Sequence, residues 1–430
     1  MIVKTKNLAT TLLLRREPEL TAQDVTEARR YIAGYWKNLK RNHTKDNDHL
    51  LGLPKPYIVP ADEPGHEFDY NELYYWDSYF IAQGLLDNKH KELVSGILEN
   101  LLSLFERFGI IPNASRTYLT GHSQPPLLTS FTWDIYETYR MDKSWLKKSL
   151  ATAEDEYLSV WMGGEKPNWR QVYRGLSRYF DINMIHDLAE AESGWDMTPR
   201  FGRKALDYLP VDLNSLLYKY EIDFARGAME LGDRRIAKDW QQRAKHRKEV
   251  MNNLMWDKIR GFYCDYNYVK EKRGSVSSLA GFFPMWAGLA SADQARRMVK
   301  NLRRFENRGG LAATEYQSFG KVVNGAVQLM PGAVPTQWAY PNGWAPLHFI
   351  VVKGLQNYGY HEEARRVAIK WLKTCLDWFN EHGVFLEKYN VVQPGKPPVK
   401  GLYPSQTGFG WTNAVFERFC QEFIDNDTPR

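Results

Sequence analysis

Apolar residues fall at Val25, Ala28, Ile32, Trp36 and Leu39, steps of three and four that place them on one face of a helix over residues 21–39. Thr21 and Asp24 stand where a capping pair would start it. The same period predicts helices over residues 73–86, 90–108, 127–140, 143–162, 212–231, 233–256, 278–289, 291–304, 344–358, 362–380 and 411–423. Segments 90–108, 143–162, 233–256 and 362–380 carry many charges and read as outer, half-exposed helices. Segments 127–140, 212–231, 278–289 and 344–358 are more apolar and follow loops dense in Gly, Pro, Trp and Asn. Outer and inner helices in alternation predict an all-α fold, a closed ring of helical hairpins or (α/α)6 toroid, with the loops before the inner helices gathered around a pocket. A solenoid of helical pairs would show the same helices, but no consensus of fixed period recurs. Strand signals are short, and residues 261–266 and 383–389 suit small hairpins at one end. Length alone allows one large toroid or two or three ordinary domains. No linker or low-complexity tract divides the chain, so one domain over residues 1–430 is expected.

Composition adds one feature to this picture. The apolar share of 43% and charged share of 25% are ordinary, but 15 Trp and 25 Tyr are many, and they recur beside glycines, prolines and carboxylates. Rings next to hydrogen-bonding side chains suit a sugar, whose C–H faces stack while its hydroxyls bond at the edges. A large core full of rings would give the same count. The net charge of +6 is spread without a long basic block, too weak a field for a nucleic-acid partner. Cys264, Cys375 and Cys420 lie far apart without metal-ligand spacing and read as reduced residues of a cytoplasmic protein. The apolar run from Leu8 to Leu14 is followed by Arg15-Arg16-Glu17 rather than by a cleavage site, so no signal peptide and no membrane partner are expected. Oligomeric state is left open, with a monomer compatible.

The stretch Ala191-Glu192-Ser193-Gly194-Trp195-Asp196-Met197-Thr198-Pro199-Arg200-Phe201 concentrates acids, a glycine, rings and an arginine without helical or strand period. Such a segment is more often a loop that shapes a site than an element that fills a core. No metal-ligand cluster, phosphate-cradling loop or nucleophile elbow occurs, so no cofactor is expected. What remains is carboxylates among rings. Hydrolysis of a glycosidic bond needs two of them, an acid for the leaving oxygen and a second group that activates water or attacks the sugar. Asp196, beside Trp195, is the candidate acid, because desolvation holds a carboxyl protonated. Glu387 is the candidate for the second role, with strand alternation putting Phe385 and Glu387 on one side and Leu386 and Lys388 on the other. Each carboxylate taken alone is equally readable as a salt bridge or helix cap.

Four stretches resemble the trehalase family of glycoside hydrolases, family 37, and more loosely its (α/α)6 relatives in family 63. Glu72-Leu73-Tyr74-Tyr75-Trp76-Asp77-Ser78-Tyr79-Phe80 resembles the first signature and Glu192-Ser193-Gly194-Trp195-Asp196 the acid-bearing loop. Gln337-Trp338-Ala339-Tyr340-Pro341-Asn342-Gly343-Trp344 resembles the second signature, and Gln406-Thr407-Gly408-Phe409-Gly410-Trp411-Thr412-Asn413 the C-terminal one, with Glu387-Lys388-Tyr389 just upstream. They follow the family's order. The resemblance implies an inverting α-glycoside hydrolase acting on α,α-trehalose or a related small α-glucoside, with Asp196 as general acid and Glu387 as general base, their carboxyls roughly 6.5–9.5 Å apart. It further implies a pocket lined by Tyr70, Trp76, Asp77, Asn113, Gln124, Gly194, Trp338 and Trp411, with Arg178 keeping one of the family's arginines. The chain departs from the pattern at Asp69 and His122, where trehalases carry arginines, and at Ala339 and Leu402, where they carry acids. Those departures bear on the leaving-group side and keep two alternatives in view: a hydrolase of glucosylglycerate, mannosylglycerate or another α-glycoside, and a non-catalytic sugar-binding toroid.

Overall fold

Burial sorts the helices into two kinds. A computed structural model describes residues 20–62, 70–164, 166–316, 320–323, 326–329, 336–401 and 405–425. In chain order the helices are α1 (Thr26–Leu39), α2 (Tyr75–Gln83), α3 (Lys91–Phe108), α4 (Leu128–Tyr139), α5 (Lys143–Glu156), α6 (His186–Ala191) and α7 (Val211–Glu230). They continue with α8 (Arg234–Leu254), α9 (Phe283–Trp286), α10 (Ala292–Asn301), α11 (Ala345–Asn357), α12 (His361–His382) and α13 (Gly410–Phe423). In α1 and α8 only one stripe is buried, formed by Ala28, Ile32, Trp36 and Leu39 and by Ala237, Trp240, Ala244, Arg247, Met251 and Leu254, Arg247 being paired with Glu221. The remaining faces are charged, as expected of helices with water on one side. By contrast every residue of α2 is buried, and in α11 the whole run from Ala345 to Val352 is.

The buried helices α2, α4, α7, α9, α11 and α13 form the inner ring, and α1, α3, α5, α8, α10 and α12 alternate with them outside. Tyr79 of α2 meets Phe131 of α4 and Phe349 of α11, each with ring centroids 6.2 Å apart. α4 packs on α7, α7 on α9, α9 on α11, and α11 on α13, which returns to α2. The ring is therefore closed, and the chain is an (α/α)6 toroid. Three of the outer helices start at side-chain caps, Asp142 for α5, Asp233 for α8, and a Ser291–Gln294 capping box for α10.

The structure departs from the periodicity in three places. Segment 278–289 begins as a 3-10 turn, Leu279–Phe282, because Pro284 has no N–H and is accommodated only in the first turn of α9. α6 was not predicted, since six residues are too few to show a period. Residues 383–389 do not make a hairpin. The strand is Lys388–Asn390, and it pairs antiparallel with Asn342–Trp344, putting Trp344 opposite Lys388. Phe385 lies before that strand against Phe379 and Phe416, so the expected shared side of Phe385 and Glu387 does not form.

These pairings gather the motif-bearing loops at one end of the toroid. Tyr74 bridges Ala114, Leu386 bridges Thr407, and the 342–344 strand lies on 388–390.

Ring closure leaves no room for side chains where α2 meets α13. A Cβ on Gly84 would lie 2.5 Å from Ala414 Cα, whereas one on Gly34 in α1 meets nothing within 4 Å. Gly84→Ala is therefore expected to destabilise by about 1–3 kcal/mol through overpacking. Gly34→Ala is expected to stabilise by about 0.5–1 kcal/mol through helix propensity. Urea midpoints of the two variants check the opposite signs.

Candidate active site

The loop that carries Asp196 is held from below by buried charge. Arg200, fully buried, makes bidentate bonds of 2.7 and 2.8 Å to Asp212 at the start of α7 and bonds of 3.0 and 2.8 Å to Asp265. Its guanidinium lies 4.5 Å from the centroid of Trp195, so the ion cluster supports the ring beside the acid. Glu192 accepts the N–H groups of Ser123 at 2.8 Å and Phe180 at 2.7 Å and pairs with Arg170, which ties the loop to residues 123 and 180. Glu190 accepts the N–H of Thr198 at 2.7 Å. On the far side Gln337 donates to the Asp196 carbonyl at 2.7 Å and the Trp338 N–H to the Met197 carbonyl at 3.2 Å, so the second signature buttresses the acid loop. Gly194 is required where it stands: its φ is +73°, and a Cβ would approach the Trp76 ring to 2.7 Å.

Glu387 is fixed by its backbone. Its N–H donates to the Gln406 carbonyl at 2.9 Å, and its carbonyl accepts from Trp411 Nε1 at 3.1 Å and Thr412 Oγ1 at 3.3 Å. Glu387 Oε2 meets the buried Lys388 ammonium at 2.5 Å, and that ammonium lies 5.0 Å from the Trp344 ring centroid. The salt-bridge reading of this carboxylate and the site reading thus hold together.

Asp196 and Glu387 line one cavity of about 610 Å³, along with Tyr70, Trp76, Asp77, Asn113, Gln124, Gly194, Trp338 and Trp411. Its wall is a tryptophan cluster. Trp338 stacks on Trp344 with centroids 3.7 Å apart and contacts Trp76 at 5.7 Å and Trp411 at 6.1 Å. Trp76 donates its backbone N–H to Gln124 Oε1 at 3.0 Å, and Asn113 Nδ2 donates to the Ser123 carbonyl at 3.3 Å, so the amides are oriented by backbone.

Arg178 is not brought to the cavity. Its guanidinium is engaged by the carbonyls of Trp169 at 2.9 Å and Leu206 at 2.8 Å and by the Tyr268 hydroxyl at 2.9 Å, which makes it a buried tie between loops. Lining residues absent from the sequence-based expectation are Tyr74, Ala191, Glu192 and Phe409, inside the quoted stretches, and Pro60, Tyr118, Leu119, Asn183 and Leu188, in segments without a motif. His122 also lines the cavity, with Nε2 2.6 Å from Asp181 Oδ1. Ala339 is buried, and Asp69 and Leu402 lie outside the described residues.

Carboxyls crowded into one poorly hydrated space cannot all ionise cheaply. Burial, then the charge of Glu387, pushes Asp196 up to about 7. Burial and the charges of Glu387 and Asp196 hold Asp77 well above the usual carboxylate range, and burial with the same carboxylates raises the Tyr70 phenol. The cavity therefore offers a carboxyl that carries a proton near neutrality, and another carboxylate paired with an ammonium. An acid and a base on one ring-lined space is the equipment of general acid–base hydrolysis.

The trehalase family model matches residues 13–184 and 165–423. Cytosolic neutral trehalase of Kluyveromyces lactis is 33% identical over 431 residues, covering 84% of this chain and 55% of that protein. Cytosolic neutral trehalase of Beauveria bassiana is 33% identical over 448 residues, covering 85% and 58%. The chain thus spans a little over half the length of the curated relatives it matches. Neutral trehalase of Saccharomyces cerevisiae superposes with a TM-score of 0.73 at 30% identity, covering 86% of this chain and 74% of that one. A mannosylglycerate hydrolase of Thermus thermophilus superposes with a TM-score of 0.67 at 17% identity, covering 91% and 99%, a likeness of fold.

Asp196 also marks stability. With its carboxyl at about 7 in the folded chain and near 3.9 when unfolded, the native state holds a proton the unfolded chain releases between those values. This contribution is complete below about pH 4 and is lost as pH rises through 7. Asp196→Asn, which cannot ionise, is expected to gain stability relative to the parent as pH rises from about 4 to about 7, by at most about 4 kcal/mol, with a constant difference above. Urea titrations across that range check it; a pH-independent difference would contradict the assignment.

Proposed function

The chain belongs to the trehalase family of glycoside hydrolases, and from that premise we propose that it hydrolyses α,α-trehalose with inversion, Asp196 acting as general acid and Glu387 as general base. The observation that carries this reading is the convergence of both carboxylates on one tryptophan-walled cavity, with Asp196 poised to hold a proton at neutral pH. Asp196 delivers that proton to the bridging oxygen as the C1–O bond breaks, and Glu387 removes a proton from the water that attacks C1 on the opposite face. In this reading Asp77, Asn113, Gln124 and Tyr70 take the hydroxyls of the glucose and the faces of Trp76, Trp338 and Trp411 cover its ring, which their shared lining of the cavity supports.

A glycerate aglycone is the weaker alternative. Among the described residues no lysine or arginine lines the cavity to pair with an anionic aglycone. A sugar-binding protein without catalysis has no use for a proton donor and an ammonium-paired carboxylate together. We read residues 1–430 as one catalytic domain, which the continuous core from Val25 to Ile424 supports, and its setting as the cytosol, as the names of the fungal relatives state for those proteins.

Proton NMR of the first turnovers tests the mechanism: inversion yields one β-glucose and one α-glucose from each trehalose before mutarotation. Glu387→Gln and Asp196→Asn are each expected to lower kcat by about 10²–10⁴-fold or more while the circular dichroism stays native. Two α-glucose products, or unchanged turnover in either variant, would overturn it.

A further inference from the structure

Lys388 is buried without reaching the cavity. Its side chain has no solvent exposure, and among the described residues that line the cavity Glu387 is present and Lys388 is not. An ammonium leaves water only at a cost that its new neighbours must offset. Glu387 and Trp344 contribute to that. Nζ lies 2.5 Å from Glu387 Oε2 and 5.0 Å from the ring centroid of Trp344, the residue opposite Lys388 in the paired strands 342–344 and 388–390. From Trp344 the contacts continue toward the other carboxyl. Trp344 Nε1 donates to the Gln337 carbonyl at 3.2 Å, and the Gln337 side chain donates to the Asp196 carbonyl at 2.7 Å. The Trp344 ring is fully buried and stacked on Trp338, so it cannot shift without moving the cavity wall. Lys388, Trp344 and Gln337 thus form a strut behind that wall, with the side chain of Glu387 at one end and the backbone of Asp196 at the other.

Resting on the hydrolase reading of the site, we propose that Lys388 is a positioning residue for the reaction: through Trp344 and Gln337 it holds the Glu387 carboxylate at the spacing from Asp196 that the attacking water requires. Inversion makes this spacing matter, because the two carboxyls must leave room for one water between the sugar and the base. A base displaced by about 1 Å lowers rate by as much as 10²-fold. Binding of the sugar need not change, since other groups take its hydroxyls. The remaining buried ion pairs of the site act on the acid loop: Arg200 with Asp212 and Asp265 supports Trp195, and Arg170 holds Glu192. Lys388 differs from them, for its ammonium touches the reacting carboxylate itself. Lying outside the cavity lining, it acts through Glu387 and not on the sugar.

Kinetics and calorimetry on the full chain test the proposal. Lys388→Met keeps the stem and removes the ammonium, and its kcat on trehalose is expected to fall by about 10–10²-fold. The Kd of trehalose, measured by calorimetry with Asp196→Asn as the background, is expected to change by less than about twofold on the same substitution. Lys388→Arg restores a cation and is expected to recover part of the lost kcat. Gln337→Met breaks the strut at its far end. The double variant is expected to lose less kcat than the product of the two single losses, because either change alone already releases the spacing. A Lys388→Met kcat within about twofold of the parent, a Kd that weakens as much as kcat falls, or single losses that simply multiply overturns the positioning role. Should Lys388→Met not fold, Gln337→Met, which leaves every charge in place, decides by the same two readouts: a lowered kcat with Kd retained supports the strut, and an unchanged kcat or a parallel loss of both removes it. Trehalose cleavage by the parent that is lost in Asp196→Asn keeps the hydrolase reading in place whatever Lys388 does. No cleavage by the parent removes both.

Discussion

A carboxylic acid on a loop is only as well aimed as the loop is anchored, and here the anchor is a buried cation. Arg200 sits between Asp212 and Asp265 with almost no solvent exposure, one carboxylate at the beginning of an inner helix and the other on the 265 turn, while Trp195 covers its face. Asp212 is in the first turn of α7, where the helix dipole also favours a negative charge. Removing one member of such a cluster leaves an uncompensated charge and costs about 3–5 kcal/mol, which is far more than a surface pair contributes. The geometry of the acid is thus coupled to the integrity of the inner ring. Misplacement of a reacting group by about 1 Å lowers rate by as much as 10²-fold, so the rigidity of this anchor lies directly on the path from packing to activity.

The same exclusion of water that makes the anchor strong tunes the site. Desolvation and the neighbouring carboxylates work together on Asp196 and Asp77, raising both, while Lys388 lies against Glu387. The tryptophans contribute twice: they exclude water, which strengthens these effects, and they give the cavity flat apolar faces. Backbone bonds from Trp411 and Thr412 to the Glu387 carbonyl, and from Gln337 to the Asp196 carbonyl, carry the order of the wall to the reacting groups.

Periodicity made the ring legible because inner and outer helices face different solvents, and twelve of the thirteen helices among the described residues overlap the segments it marked. The deep site was legible for another reason: its side chains sit inside dense motifs that pair with one another through the backbone, as at Tyr74 with Ala114 and Leu386 with Thr407. Local reasoning failed where a long-range partner decides the outcome. The strand 388–390 pairs with 342–344 rather than folding back on its neighbours, and Arg178 is captured by carbonyls of Trp169 and Leu206 before it can reach the cavity. Tyr118, Leu119, Asn183 and Leu188 gave no signal, because a lone ring or aliphatic residue in a short turn looks the same whether it lines a mouth or simply faces water.

This contrast has a physical origin in how the two halves of the cavity are built. The deep half is made by loops locked into paired strands, a buried ion cluster and a stacked indole wall, so a change at any of these positions disturbs several partners at once. The mouth is made by a 3-10 turn at Thr117–Leu119 and by the segment around α6, whose apolar side chains stand partly in water. Substitution there perturbs little besides the ligand. One apolar contact changes selectivity by only about 1–3 kcal/mol, an increment a chain can gain or lose without cost to its fold. The paired carboxyls and their indole wall therefore lie in motifs, while Tyr118, Leu119, Asn183 and Leu188 line the same cavity from segments that share no motif.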